Sequence, residues 1–423
     1  MNKPNRNADR KNLVLYFQVH QPMRLNRFTF FDIGSGKSYF DDSLNDEIID
    51  RIARACYLPA NMLLLKLIKK YPGIKAAFSI SGLTLEKLDQ VAPEVLYSFR
   101  ALAETGAVEF LGETQYHSLA CMIPGDEFEK QVEEHRKKLA HYIGVTPKVF
   151  RNTELIYNDD IARRAASLGF NGVYCDGIEK ILGYRSPHHV YSAPENRLPI
   201  LLRNYRLSDD IAFRFSEQSL PVEKYVSWLK GLPPEQTLIN VALDYETFGE
   251  HKKKSSGIFT FLEELLVRAA KDKSLVMRTP SEAISQETPK GTLSVPVHVS
   301  WADRERDLSA WLGNPIQQDA FDTLIAIGDD VKKTNDPLLL KCWRLLQTSD
   351  HYYYMSTKDG DDGNVHAMFS PYPSPYEAFI NYMNVLSDFK LIVNRKLNAL
   401  NEKQKNDALL IQGSRRLERP RIL

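Results

Sequence analysis

Short apolar runs recur through the first two-thirds of the chain. Each is followed by one or more polar residues and then by a stretch with helical periodicity. The runs are Leu13–Val19, Ala76–Ile80, Val108–Leu111, Val149–Asn152, Gly172–Tyr174, Ile200–Leu202 and Leu238–Leu243. They are rich in β-formers, and several lack any polar alternation, the pattern of parallel strands covered on both faces. Between them lie helical patterns such as Asn61–Lys70, Glu127–Tyr142 and Asn158–Leu168. The last opens on Asn158 as an N-cap, carries Asp159 and Asp160 in its first turn and stops at Gly169.

Seven strands alternating with helices argue for a βα barrel or a doubly wound sheet. Polar residues recur at the carboxyl ends of the runs, where barrels build their sites. The preferred reading is therefore an α/β fold, an incomplete (β/α)7 barrel followed by a C-terminal helical subdomain. From about Pro289 the pattern changes to a β-like segment, Leu293–Val299, and then to aromatic-rich helical stretches at Asp319–Lys333, Pro337–Gln347 and Pro375–Leu400. The expected layout is a barrel over 1–288, helices over 289–400 that complete the cleft, and a frayed tail over 401–423.

At 423 residues with 43% apolar and 26% charged residues, the chain can bury a large core unaided by disulfides or structural metals. Lys and Arg number 55 against 54 Asp and Glu, giving a net charge of +1. A nucleic-acid binder would show a basic excess or stripe, none appears before the C-terminal tail, and no nucleic acid is expected; the balance suits a neutral partner. No apolar stretch nears the ~18 residues of a membrane span, and no apolar h-region follows the basic N-terminus, so no membrane partner or signal peptide is expected. Cys56, Cys121, Cys175 and Cys342 are far apart and form no CxxC, as in a reducing compartment, and the expected location is the cytoplasm.

Four runs end in groups that can do chemistry. Leu13–Val19 leads into His20-Gln21-Pro22, and Val108–Leu111 into Gly112-Glu113-Thr114-Gln115-Tyr116-His117. The run from Val149 leads through Arg151-Asn152-Thr153 into Glu154, and Leu238–Leu243 into Asp244-Tyr245-Glu246, with Glu250 and His251 beyond. On a closing rim, Glu154 and Asp244 can face each other although 90 positions apart. Two opposed carboxylates and an imidazole, with no nucleotide motif, suggest glycoside hydrolysis. The acetal needs an acid for the leaving oxygen and a second group for the oxocarbenium-like carbon. Each residue alone also reads as a helix cap, an Arg partner or a solvated loop charge, and spacing does not say which carboxylate does what.

Metal chemistry is disfavoured, because the ten histidines contain no HExxH or HxxxH pair. A deacetylase-type barrel would want an Asp-Asp pair where His20-Gln21-Pro22 stands. Structural calcium at Asp359–Asp362 is left open, although that segment reads better as a turn around Gly360 and Gly363. There is no GxSxG, GxxxxGK[ST] or strand-linked GxGxxG, and no cofactor is implied.

Taken in order, His20-Gln21-Pro22, Gly112-Glu113-Thr114 with Tyr116-His117, Asn152-Thr153-Glu154-Leu155 and Asp244-Tyr245-Glu246-Thr247-Phe248-Gly249 resemble the motifs of glycoside hydrolase family 57. Ser309-Ala310-Trp311-Leu312-Gly313-Asn314 and Ser349-Asp350-His351-Tyr352-Tyr353-Tyr354-Met355 complete the set, over about residues 12–395. The resemblance is greatest to members called α-amylases. It implies a (β/α)7 barrel, retaining action on α-glucans or maltooligosaccharides, Glu154 as nucleophile and Asp244 as general acid/base. It also implies sugar contacts from His20 and His117, and from Trp301, Trp311, Asp350 and His351 in the helical part. Transferase and branching members are expected to carry a carboxylate near His117 and an aromatic residue three before the nucleophile; here His117 and Arg151 hold those places. Rival readings are a 4-α-glucanotransferase or branching enzyme on the same scaffold, and a glucan-binding protein with a dead site. Retention of both carboxylates argues against the last.

Overall fold

The structure, a computed structural model, describes residues 10–215 and 220–417, with side chains described up to residue 405. Nine strands occur among the described residues: β1 (Lys11–Val19), β2 (Ala76–Ile80), β3 (Val108–Phe110), β4 (Val149–Phe150), β5 (Gly172–Asp176), β6 (Tyr191–Ser192), β7 (Pro199–Arg203), β8 (Leu238–Asp244) and β9 (Leu275–Met277). Seven of them form a parallel sheet in the order β3-β2-β1-β8-β7-β5-β4, with β6 antiparallel on β7 and β9 parallel to β1. The two ends of that order meet at Gly112. Its N–H donates to Val149 O at 2.9 Å and its carbonyl accepts from the Arg151 N–H at 2.8 Å. The seam needs glycine, since a Cβ there would meet the Phe170 ring at 2.7 Å. The expected incomplete (β/α)7 barrel is therefore present.

Alternation along the strands divides two cores. On β1, Leu13, Leu15, Phe17 and Val19 join the large cluster between sheet and helices, whereas Val14 and Tyr16 turn inward with Ala77, Leu111, Val149, Tyr174, Leu201 and Ala242. The interior is not wholly apolar. Tyr16 stacks on Tyr174 with centroids 5.3 Å apart, and its hydroxyl bonds Gln18 Oε1 at 2.9 Å. Gln18 Nε2 in turn donates to Glu113 Oε1 at 3.4 Å, so a polar column rises inside the barrel to the rim.

The described residues fall into two compact units, one within Met1–Met23 and Asp42–Ala310, the other within Arg24–Asp41 and Trp311–Leu423. The second is helical: Pro315–Ala326, Gly328–Lys333, Pro337–Leu345, Ser349–Tyr353, Gly360–Phe369 and the long Pro375–Leu417. Within it the Arg24–Asp41 segment is strapped to the long helix. Phe28 N donates to Asn381 Oδ1 at 2.6 Å, and the Gly34 N–H and Tyr39 hydroxyl donate to Asp388.

Several local expectations are corrected. Leu293–Val299 forms no strand, only a bridge from Val299 to Tyr157, because Pro296 removes a ladder donor from its middle. The single helix expected over Asp319–Lys333 is two, broken at Ile327, where the following Gly328 lets the Trp343 ring press against the backbone. Asp359–Asp362 is not a turn but the start of the Gly360–Phe369 helix, with Asp361 and Asp362 in its first turn, where the macrodipole favours anions. Among the described residues, no cluster of three or more His, Cys, Asp or Glu could hold a metal, and no helix is long and apolar enough to cross a membrane. The Pro375 helix continues to Leu417; of the tail expected to fray, residues 418–423 lie outside the described residues. Asn158 caps its helix as expected, accepting from Ile161 N at 2.9 Å.

Candidate active site

Every parallel strand of the barrel ends with its carboxyl edge on one rim, and the polar ends collect there. β1 delivers His20, β3 delivers Glu113 and His117, β4 delivers Arg151 and Glu154, β5 ends on Asp176, β7 on Arg203, and β8 on Asp244. The sequence reading stopped the fifth and sixth runs at Tyr174 and Leu202. It thereby missed Asp176 and Arg203, whose signal was the one that exposed Asp244: a charge closing an apolar run.

Glu154 sits in a tight turn, Thr153–Leu155, with left-handed backbone at φ 55° and ψ 24°; Leu155 follows at φ 50° and His117 has φ 47°. Non-glycine residues adopt this region at a cost and persist there only where neighbours over-determine them. Here Asn152 Nδ2 donates across the turn to Ile156 O at 3.0 Å, the Thr114 and Thr153 hydroxyls meet at 2.8 Å, and Trp301 N donates to Glu154 O at 3.3 Å.

The Glu154 carboxylate is held from two sides. Trp301 Nε1 donates to Oε2 at 2.7 Å, and His117 Nε2 lies 3.3 Å from Oε1. The other imidazole nitrogen, Nδ1, meets Glu113 Oε2 at 2.9 Å. Burial opposes charge on His117, but the hydrogen bonds to Glu113 and Glu154 outweigh it and lift its pKa to about 9. His117 is therefore an imidazolium at neutral pH. Burial likewise opposes charge on Glu113, and His117, Arg151 and His135 overcome it, so its pKa is lowered. His20 stacks on His117 with ring centroids 3.8 Å apart, and its Nδ1 pairs with Ser81 Oγ at 2.8 Å.

Asp244 behaves in the opposite way. Burial, and next the nearby Glu154 charge, raise its pKa to about 6, against partial relief from Arg151, His117 and Arg203. Two residues on, Glu246 is buried beside Asp244 and pushed up to about 8, although it accepts from the His20 N–H at 3.2 Å and from the Tyr57 hydroxyl. Asp244 and Glu246 are thus two rim carboxyls held above the ordinary carboxylate range, and raising a carboxyl by burial is how a fold keeps an acid protonated near neutral pH.

The first unit brings together five expected residues: His20, His117, Glu154, Asp244 and Trp301. Trp301 lies in a loop of this unit rather than in the helical part. Its indole bonds the Glu154 carboxylate, a contact the sequence did not suggest. Trp311, Asp350 and His351 belong to the second unit. There Trp311 is buried with its ring 6.4 Å from Tyr353, and His351 is buried against Tyr382 with centroids 5.6 Å apart. Glu113 has no role readable from sequence, because the Gly112–His117 segment is not helical and its four-residue spacing to His117 follows no regular period.

Glu113 anchors a buried charge cluster, its Oε2 meeting both the His117 imidazole at 2.9 Å and Arg151 at 3.7 Å. All three Arg151 side-chain nitrogens lack hydrogen-bond partners among the described residues. Glu113→Gln strands Arg151 and leaves His117 with Glu154 as its one remaining carboxylate contact, and we expect it to lower stability by about 3–5 kcal/mol in urea unfolding at pH 7. The same change should bring the His117 pKa, read by NMR titration, down from about 9. A raised folded-state pKa gives stability that is whole below the unfolded value near 6.5 and lost as pH climbs through 9. The deficit of the variant should therefore shrink above pH 9.

The description "Glycosyl hydrolase family 57" belongs to the family model that matches residues 14–296. A Methanocaldococcus jannaschii protein provisionally named an alpha-amylase is 42% identical over 416 residues, spanning 93% of this chain and 87% of its own. Among solved structures, a branching enzyme from Thermococcus kodakaraensis superposes with a TM-score of 0.65 at 13% identity, covering 82% of this chain and 86% of that one. The 4-alpha-glucanotransferase of Thermococcus litoralis gives 0.63 at 17% identity over 81% of this chain, which spans only 56% of the transferase. At those identities the two structures speak to the barrel alone, whereas the family model and the 42% relative reach the sequence itself. With both matches extending over the rim just described, the chain belongs to glycosyl hydrolase family 57.

Proposed function

We propose that this enzyme hydrolyses α-1,4 bonds of α-glucans, namely starch, glycogen or maltooligosaccharides, by double displacement with retention at the anomeric carbon. The observation that carries the reading is the different hold on the two carboxyls, Glu154 by hydrogen bonds and Asp244 by burial. Glu154 is gripped by a cationic imidazole and an indole N–H, and Asp244 holds its proton up to about pH 6. Glu154 attacks the anomeric carbon while Asp244 gives its proton to the departing glycosidic oxygen. Water, losing a proton to Asp244, then displaces Glu154 from the glycosyl-enzyme.

We assign His20 and His117, whose rings stack, to contacts with sugar hydroxyls on the ground of the family motifs that hold them. We assign Trp311, Asp350 and His351 to further sugar contacts on the ground of the family motifs that hold them. The four cysteines are free thiols, two of them buried, in keeping with a reducing compartment, and we place the reaction in the cytoplasm.

Incubating the purified chain with a maltooligosaccharide ladder, glycogen and starch tests the reading. Glucose and short fragments of retained α configuration are expected by chromatography and proton NMR. Products longer than the substrate would instead make it a 4-α-glucanotransferase or branching enzyme, and binding without turnover would make it a glucan-binding protein. The pH dependence is a second expectation. Asp244 must be protonated in the free enzyme, so kcat/KM should fall about tenfold per unit above roughly pH 6. A plateau extending to pH 9 would assign the proton to another group.

A further inference from the structure

Beside the two carboxyls lies a closed ring of alternating charges. Asp176 Oδ1 pairs with Arg203 at 3.3 Å and its Oδ2 with Arg306 at 3.2 Å; Asp209 Oδ1 pairs with Arg203 at 2.6 Å and its Oδ2 with Arg306 at 3.0 Å. Each carboxylate bridges both guanidinium forks. The ring is largely buried, and burial tends to raise the pKa of Asp176 against the two arginines. Four charges taken from water are a poor way to gain stability, since apolar side chains of the same volume commonly serve as well or better. Their distinctive product is a fixed plane.

That plane bears on one residue. Arg306 donates to the Trp301 carbonyl, and the Arg203 guanidinium carbon lies 5.5 Å from the Trp301 ring centroid. Arg151 stands 4.9 Å from the same ring. The loop between Trp301 and Arg306 is closed by Ser300 N donating to Arg306 O at 3.1 Å and Ser300 Oγ to Asp307 O at 2.7 Å, with Asp303 and Arg306 both left-handed. Arg203 also reaches β8, where its Nε donates to Ala242 O at 2.8 Å, two residues before Asp244.

We infer that Asp176, Arg203, Asp209 and Arg306 are positioning residues that hold the Trp301 indole on Glu154 Oε2, leaving Oε1 as the oxygen that bonds to the sugar. The inference rests on Glu154 being the nucleophile. In the first step the Oε1–carbon bond forms as the glycosidic carbon–oxygen bond breaks. The bonding pair leaves with the glycosidic oxygen, which takes the Asp244 proton. Oε2 becomes the ester carbonyl oxygen and keeps its indole bond, whereas the longer 3.3 Å contact of Oε1 to His117 is given up. Trp301 thus acts on the nucleophile and is not a platform for the sugar ring.

Trp301→Phe keeps the ring and removes the N–H. It should lower kcat on a maltooligosaccharide by about 10- to 100-fold, the range for a hydrogen bond to a charged group, with KM within about twofold. Arg306→Lys, and the charge-balanced pair Asp209→Asn with Arg306→Gln, should lower kcat in the same direction with near-UV circular dichroism unchanged. A raised KM with kcat intact in Trp301→Phe would make Trp301 a sugar platform and overturn the inference. So would wild-type kcat in all three proteins.

A readout independent of turnover is the Trp301 indole resonance in 1H–15N spectra, assigned by its loss in Trp301→Phe. It should differ between wild type and Glu154→Gln, and move in Arg306→Lys. Superposition of the resonance in all three proteins overturns the inference. If glucans prove not to be substrates while the indole still senses Glu154, only the earlier reading falls.

Discussion

Glu154→Gln lowers kcat on maltooligosaccharides by about 10⁴-fold or more, with folding intact by circular dichroism. The amide is nearly the size of the carboxylate but cannot form the glycosyl ester, and removing the nucleophile of a covalent mechanism removes most of its advantage. The geometry suggests that the substitution is tolerated. The Trp301 N–H can still donate to the amide oxygen, and the backbone contacts of the Thr153–Leu155 turn do not involve the side chain. One like charge near Asp244 is lost, so the Asp244 pKa should fall below about 6 in this variant. Retention of more than a tenth of the wild-type rate would remove Glu154 from the role.

Asp244→Asn is expected to cost about 10²–10⁴-fold in kcat on natural glucans, the usual share of general acid–base catalysis. The loss should depend on the leaving group. With a fluoride or nitrophenyl leaving group, which departs without a proton, the first step recovers and the glycosyl-enzyme accumulates. A burst of leaving group followed by slow turnover is then the expected kinetic signature. Equal losses on activated and natural substrates would show that Asp244 does not act as a proton donor. Asp244→Asn also takes a charge away from Glu246, whose pKa near 8 owes its rise to burial first and to Asp244 next.

The strands were legible where hydrophobicity was continuous. β2 spans the same residues as its apolar run, and β1 and β8 extend theirs by no more than two residues at an end. β6 and β9, of two and three residues, were not, because runs so short carry no period. Of the two proposed catalytic carboxylates, Asp244 was visible as a charge closing an apolar run, whereas Glu154 stands four residues beyond β4, past Arg151, and was visible only as the acid of its motif. Glu113, Asp176 and Arg203 carried the same signal and were given no role, since nothing local distinguishes a buried partner from a catalyst.

Arg306 gave no signal at all. It lies in a loop without periodicity, and its partners Asp176 and Asp209 are about 100 or more positions away. The alliance of Arg24–Asp41 with the distant helix bearing Asn381 and Asp388 is of the same kind, made by side-chain-to-backbone bonds across more than 350 residues. Long-range polar pairing of this sort is specified by the folded geometry and leaves no trace in neighbouring letters.

The left-handed turn at Glu154 and Leu155 has a consequence for attempts to make this protein more durable. Each of those backbones sits on the order of 1 kcal/mol above where a glycine would rest. Selection for heat resistance alone will therefore find gains at the spot where the proposed nucleophile is aimed, and each gain there relaxes its aim. Ruggedness and turnover compete in this chain at two adjacent peptide units, and a library meant to raise one should leave those two untouched.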